Sequence, residues 1–452
     1  MTNVVLFSLC LSTLGGLQLV PDAKGSPQPK STAGKRVFAH YMVCCPADGG
    51  GATVEDYKRE IQAAQERDID GFALNCGGWT AREPHYKRRA LMIYQAAKEL
   101  GTDFKLLISA DYCCGLTLDE TRDMIETFRD HPNQFRHDGK PVLSTFSGRK
   151  AVTGFIQKEF TGDRAIVFVP FYYPTPAAEM PNQAQVDQVF SNNPSLDGFF
   201  HFGAAGTPEQ IVASNRLLAA KWLGAEKIFM SPITPFYRGL GGNYRVFECR
   251  GFEGMAKQWE SAIENNATWV EIVTWNDWGE SSYVAPFGPP EKRDVGGGNW
   301  GSLPSHVAFL DASRYYIDWF KTGKPPKITQ DKFFYFYRLH PKDVPGTVKI
   351  GQEQKGRPSH ADSLVDDVFV TAFLRSPARL IIDSGGTRQQ FQLRRGVHHV
   401  SMPFAPGKQR LVVERKGHVL IDKTGEREIS ATDGWGNFNY FGGAAVAPKR
   451  LD

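Results

Sequence analysis

The chain has 452 residues, long for a single hydrophobic core, so one large domain and a smaller one is its natural division. Its formal net charge is only +4, from 53 basic and 49 acidic residues with no block of Lys or Arg, which argues against nucleic-acid and membrane-surface partners and for a neutral one. No stretch approaches the roughly 18 apolar residues of a membrane span.

The N-terminus carries the apolar run Val4-Val5-Leu6-Phe7-Ser8-Leu9-Cys10-Leu11, then small residues, then a Pro-, Ser- and Lys-rich segment to Gly34. Residues 1–34 read as a signal peptide and spacer, with Ala23-Lys24-Gly25 as a fair cleavage site, although no Lys or Arg precedes the run; the competing reading is a disordered tail. Export would make the protein secreted, periplasmic or extracellular. Of seven cysteines, Cys44, Cys45, Cys76, Cys113 and Cys114 follow predicted strands, so disulfides among them are expected in an exported chain. None has C-x-x-C or paired-His spacing, which disfavours zinc.

From Lys35, apolar runs alternate with amphipathic stretches. Strands are predicted at Val37–Val43, Ile69–Asn75, Lys105–Ala110, Pro141–Thr145, Ile166–Pro170, Asp197–Phe202, Lys227–Met230 and Trp269–Trp275. Helices are predicted at Thr53–Arg67, His85–Leu100, Leu118–Arg129, Lys150–Phe160, Gln183–Ser191, Pro208–Leu223, Phe252–Asn265 and Ser305–Phe320. Thr53 ahead of Asp56, and Thr207-Pro208-Glu209, are helix-start signals. Eight βα units predict an α/β fold, a (β/α)8 TIM barrel over residues 35–328. A Gly- and Pro-rich loop between Tyr283 and Pro304 is expected to wall its cleft. Beyond Lys327 the pattern changes to period two, with strands at Phe333–Arg338, Asp367–Leu374, Ala378–Ile382, Gln389–Leu393, His398–Met402, Arg410–Glu414 and His418–Ile421. Residues 329–452 thus read as a C-terminal β-sandwich that braces the barrel or binds polysaccharide, with bracing favoured for want of an aromatic platform.

Barrels of this kind carry their sites at the C-terminal ends of the strands. There stand His40 and Tyr41, Asn75 and Trp79, Asp111 and Tyr112, Tyr172 and Tyr173, His201, Tyr237 and Arg238, and after the eighth strand Thr274-Trp275-Asn276-Asp277-Trp278-Gly279-Glu280-Ser281-Ser282-Tyr283. Two carboxylates among aromatic rings suit sugar cleavage: rings stack on pyranose faces while acid and base flank the glycosidic oxygen. A Gly between them would let the backbone turn sharply. The bland reading is a loop of solvated acids. Asp111 could bind a sugar hydroxyl, assist the base or cap its own loop. Asn75, Tyr172, His201 and Tyr237 would bind sugar or complete the packing, and His40 reads as a packed strand residue. Asp70 opens the second strand and should point to the opposite end. No G-x-S-x-G, phosphate-binding glycine loop or H-E-x-x-H is present, which lowers esterase, kinase and metalloprotease readings.

Val37-Phe38-Ala39-His40-Tyr41-Met42-Val43, Ile69-Asp70-Gly71-Phe72-Ala73-Leu74-Asn75, Met230-Ser231-Pro232-Ile233-Thr234-Pro235-Phe236-Tyr237 and Thr274–Ser281 together resemble glycoside hydrolase family 71, in order, over about Arg36–Pro341. The resemblance implies a secreted endo-α-1,3-glucanase, or mutanase, that acts with inversion and no cofactor on polysaccharide; a monomer is expected. It makes Asp277 and Glu280 the catalytic pair, Glu280 as acid and Asp277 as base with the exchange left open, within T-W-N-D-x-G-E-S, and it marks Asp70 as an important acid. Trp275, Asn276 and Trp278 join Asn75, Asp111, Tyr172, His201 and Tyr237 as expected substrate contacts. Departures lie at Cys44-Cys45, at Cys113-Cys114 and at His201-Phe202-Gly203, where a tryptophan is expected. Two alternatives compete with it: an endo-α-mannosidase-like α-glycosidase, disfavoured because its strand resembles W-N-E-W, and a non-catalytic polysaccharide-binding protein.

Overall fold

The computed structural model describes residues 34–80, 82–148, 150–172, 180–239, 243–286, 303–345, 349–350, 353–354, 356–431 and 438–448. The leader, Tyr173 and most of the loop before Pro304 lie outside the described residues.

The first part of the chain is a mixed α/β layer structure. Strands β1 (Arg36–Met42), β2 (Gly71–Cys76), β3 (Lys105–Asp111), β4 (Lys140–Phe146), β5 (Val167–Pro170), β6 (Gly198–Phe200), β7 (Ile228–Ile233) and β8 (Trp269–Ile272) alternate with helices α1 (Val54–Gln65), α2 (His85–Leu100), α3 (Leu118–Phe128), α4 (Lys150–Glu159), α5 (Gln183–Asn192), α6 (Pro208–Gly224), α7 (Phe252–Glu264) and α8 (Val307–Thr322). The strands pair in the order β5-β4-β3-β2-β1-β8-β7-β6, all parallel. Because β1 pairs with both β2 and β8, the sheet curls until its first and last strands are neighbours. Among the described residues no ladder joins β5 to β6, but Asp197 at the start of β6 accepts the Phe168 N–H of β5 at 2.8 Å. The strands are buried along nearly their whole length, as helix-covered parallel sheets require, and this is why they read as continuous apolar runs.

Every helix predicted up to Phe320 and each of the eight strands predicted between them is present, within a few residues. Thr53 and Asp56 form the expected capping box, and Thr207 caps α6 with Pro208 in its first turn. The eighth strand stops at Ile272 rather than Trp275 because the chain leaves the ladder there: the Thr274 N–H donates to Ser282 O at 2.9 Å and the Val284 N–H to Thr274 O at 3.1 Å. The seventh continues to Ile233 through Pro232, and the sixth ends early at Phe200.

The C-terminal part holds two four-stranded antiparallel sheets. One is built from β9 (Lys332–Arg338), β10 (Asp367–Leu374), β13 (Gly396–Pro403) and β16 (Tyr440–Val446), the other from β11 (Ala378–Ser384), β12 (Thr387–Leu393), β14 (Gln409–Arg415) and β15 (His418–Thr424). Phe333, Tyr335 and Tyr337 of β9 share a core with Leu380 and Ile382 of β11 and Leu411 and Val413 of β14. The alternate residues Phe334 and Phe336 face the α/β core instead, Phe336 meeting Phe309 of α8 at a ring separation of 4.3 Å. Gly251, at φ 58° ahead of α7, lets this sheet approach: a Cβ there would come within 3.0 Å of Phe336 and Phe369.

Candidate active site

After β8 the chain makes a tight excursion. The Asp277 N–H donates to Thr274 Oγ1 at 2.8 Å, the Glu280 N–H donates to Asp277 Oδ1 at 3.0 Å, and Gly279 also directs its N–H at Asp277. The left-handed residue of this turn is Ser281, at φ 57°, so the sharp turn expected of the glycine falls two residues later. Asn276 is a wholly buried anchor: its amide donates to Met42 O at 3.1 Å and Cys45 O at 2.8 Å, and its Oδ1 accepts the Met42 N–H at 2.7 Å. The loop is thereby fixed to the end of β1, its neighbour in the sheet.

Glu280 lines a recess at the C-terminal ends of β4 to β8 with Phe146, Phe171, Phe202, Tyr237 and Asn243. Tyr237 OH donates to Glu280 Oε1 at 3.1 Å, and Asn243 Nδ2 donates to Tyr237 OH at 2.7 Å. Asp277 is half-buried. Burial raises its proton affinity, while the Glu280 and Gly279 amides and the nearby His40 oppose that rise. Asp111 is raised by burial too, and opposed by the Cys113 N–H, by Asn75 and by His40. Its Oδ1 accepts the Cys113 N–H at 2.9 Å, capping the turn that follows, and its Oδ2 accepts from Asn75 at 3.3 Å. His40 is buried and bonded through Nδ1 to Glu271 at 2.5 Å, edge-on to Phe202, so it is packed but also acts electrostatically on both Asp111 and Asp277.

Asn75, Asp111, Tyr237, Asp277 and Glu280 are therefore brought together around the end of the sheet. Other expected contacts are engaged by partners within the fold. Trp275 is only 1% exposed and Trp278 2%; their indoles donate to Glu60 and to Cys45 O, and Trp278 packs on Tyr283. These rings fill the scaffold, which corrects their reading as stacking surfaces. His201 is buried against Asn215, and Tyr172 is buried against Thr153. Trp79 donates to Asp123 and Tyr112 bonds Thr121. Asp70 lies at the opposite end of the sheet from Asp277 and Glu280, where it accepts the Val37 N–H at 2.7 Å and a bond from Lys321 Nζ at 2.8 Å. All six cysteines in the described residues are free thiols, contrary to the expected disulfides: Cys76 is buried at the end of β2, whereas Cys113 and Cys114 are exposed on the loop after β3. Among the described residues no three His, Cys, Asp or Glu side chains are arranged to hold a metal ion.

The sequence reading missed the rings of Phe146 and Phe171, which look like ordinary core at strand ends, and it missed Glu60 of α1. A signal existed for Glu60. It lies on the same stripe as Tyr57, Ile61 and Ala64, the buried face of α1, where an acid is out of place.

Paired carboxyls at the C-terminal ends of a helix-covered parallel sheet, beside an aromatic recess, are the equipment of a glycoside hydrolase. The family model of glycosyl hydrolase family 71 matches residues 33–451, and the chain belongs to that family. A mutanase of Penicillium rubens is 28% identical over 441 residues, 94% of this chain and 92% of that protein. A glucan endo-1,3-alpha-glucosidase of Schizosaccharomyces pombe is 27% identical over 427 residues, 91% of this chain and 95% of its own length. Among solved structures, a GH99 endo-alpha-mannosidase from Bacteroides thetaiotaomicron has a TM-score of 0.47 at 13% identity, covering 64% of this chain and 99% of that one.

Proposed function

We propose that this protein is an exported endo-acting hydrolase of α-1,3-glucosidic bonds in α-glucan and that it works with inversion, Glu280 as general acid and Asp277 as general base. The observation that carries the reading is the pair itself: Glu280 lines the aromatic recess while Asp277, three residues earlier, is held by the Gly279 and Glu280 amides. The names of the two fungal relatives supply the substrate. Tyr237 donates to Oε1 of Glu280, so the proton to be delivered belongs on Oε2. It passes to the glycosidic oxygen as the bond from that oxygen to the anomeric carbon breaks. A water on the opposite face forms the new bond and loses its proton to Asp277. Burial makes Asp277 a stronger base than a solvated aspartate, and the neighbouring amides keep its ionised form accessible. Inversion calls for about 6.5–9.5 Å between the two carboxyls. Asn75, Asp111 and Tyr237 are the proposed polar contacts to the sugar.

We read the curled sheet as a closed (β/α)8 barrel over residues 35–328, supported by the seating of β1 between β2 and β8 and by the Asp197 bond across β5 and β6. Residues 329–452 form a β-sandwich brace in this reading. Its support is Asn439 beside β16, which donates to the Tyr283 hydroxyl at 3.2 Å and bonds His306 at 2.8 Å, just behind the catalytic loop. Export rests on the apolar N-terminal run, and among the described residues no helix is long and apolar enough to cross a membrane.

The test is incubation of purified protein with α-1,3-glucan, mixed-linkage α-glucan, starch and α-mannan, with products identified. Release from α-1,3-glucan is expected; release from starch or mannan alone sinks the substrate assignment.

A further inference from the structure

Glu60 is a buried carboxyl that the reaction does not use. It projects from α1 beneath the catalytic loop, where Oε2 accepts the Trp275 indole N–H at 2.8 Å and Oε1 accepts the Tyr41 hydroxyl at 2.8 Å and the Ala47 N–H at 3.3 Å. One side chain thus ties together β1, the loop after it and the residue two places before Asp277. That loop is the one whose Cys45 carbonyl holds Asn276 and Trp278. The Trp275 backbone is fixed as well, its N–H on His40 O at 2.7 Å, and its ring lies on Phe72 at 5.1 Å. Of these anchors, Glu60 is the one with a proton to gain or lose.

We propose that Glu60 is a positioning residue for the proposed hydrolysis, holding the Trp275 indole and through it the placement of the Asp277 carboxyl. The inference rests on the catalytic reading of Asp277. Burial pushes the Glu60 carboxyl up to about 7, against the Trp275, Tyr41 and Ala47 hydrogen bonds that favour its ionised form, and Asp48 adds to the rise. The titratable neighbours are Tyr41 on β1, Tyr57 on α1 and Asp48 on the connecting loop; Arg89 of α2 acts on both tyrosines. Above pH 7 the carboxylate is a charge-assisted acceptor for the indole. Below it the neutral acid donates its proton to the Tyr41 oxygen and accepts from the indole more weakly. The grip on the loop therefore tightens as pH rises through about 7.

Two measurements test this, one of them independent of substrate. With 15N-labelled tryptophan, the indole N–H resonance of Trp275, identified by its loss in Trp275→Phe, is expected to titrate with a midpoint near 7 in the full-length protein. In Glu60→Gln it should stay at its acid-side position from pH 5 to 9. In parallel, Glu60→Gln should match the parent kcat within about twofold below pH 6 and fall about fivefold below it by pH 8, with KM unchanged. Glu60→Ala should lose about tenfold in kcat throughout. A flat parent resonance, or a Glu60→Ala protein with parent kcat, overturns the proposal. Should Glu60→Ala not fold, the parent resonance and Glu60→Gln decide it. A titrating resonance in a parent that hydrolyses no α-glucan leaves the Glu60 coupling standing and refutes the functional reading, so the two failures are distinguishable.

Discussion

The two ends of the parallel sheet treat their acids differently. At the end where the strands begin, Asp70 is matched to a cation, Lys321, and to the Val37 amide of β1, and Asp197 takes a backbone N–H that ties β5 to β6. At the end where the strands finish, Asp277, Asp111 and Glu60 are held by backbone amides, a carboxamide, a phenol and an indole, and burial raises the proton affinity of all three. Matched acids hold strands together. Acids gripped by neutral donors in a poorly solvated place have proton affinities shifted toward the range where acid and base catalysis operates.

The difference can be tested from its strongest consequence downward. Asp277→Asn and Glu280→Gln should each lower kcat by about 10²–10⁴-fold while thermal unfolding stays cooperative and close to the parent, as measured by calorimetry; near-parent turnover in either would remove the catalytic assignment. Glu60 should make itself felt in stability. Its folded value, about 7, lies above the ordinary glutamate value of 4.5, so the folded protein holds the extra proton between those limits. Its contribution to stability is present below pH 4.5 and is lost as pH rises to about 7. The parent should therefore lose roughly 3 kcal/mol relative to Glu60→Gln across that window in urea titrations, and a constant difference would contradict the raised affinity. Tyr237→Phe, removing the donor to Glu280 Oε1, should cost about tenfold in kcat and shift the pH limb that reports the acid, since a bond to the ionised carboxyl is lost. The smallest effect belongs to the other end of the sheet: Asp70→Asn should cost about 1 kcal/mol of stability and leave kcat/KM within twofold. A large loss of turnover there would erase the contrast between the two ends.

Much of this organisation is legible in the residues. Parallel strands covered on both faces must be apolar along their length, so Val37–Val43 and Trp269–Val273 announce themselves, and position at a strand's end then separates Asp277 from Asp70. Exposure is what the sequence conceals. Trp275 and Trp278 beside two acids look alike whether their rings face sugar or fill a core, and here they fill it. Phe146 and Phe171 look like core but line the recess. Titratable residues inside apolar strands, His40 and Glu271, are a signal of a paired buried group that only their 2.5 Å contact makes plain. The last strand, Tyr440–Val446, is hidden in the sequence because Gly442 and Gly443 weaken its pattern; they make room for Phe336 and Tyr335 of β9.

The pair Asp277 and Glu280 stands or falls most directly on the anomeric form of the first product. Proton NMR of fresh hydrolysate from α-1,3-glucan, recorded before mutarotation, should show the new reducing end in the β configuration. A product released in the α configuration would contradict the proposed division of labour between acid and base.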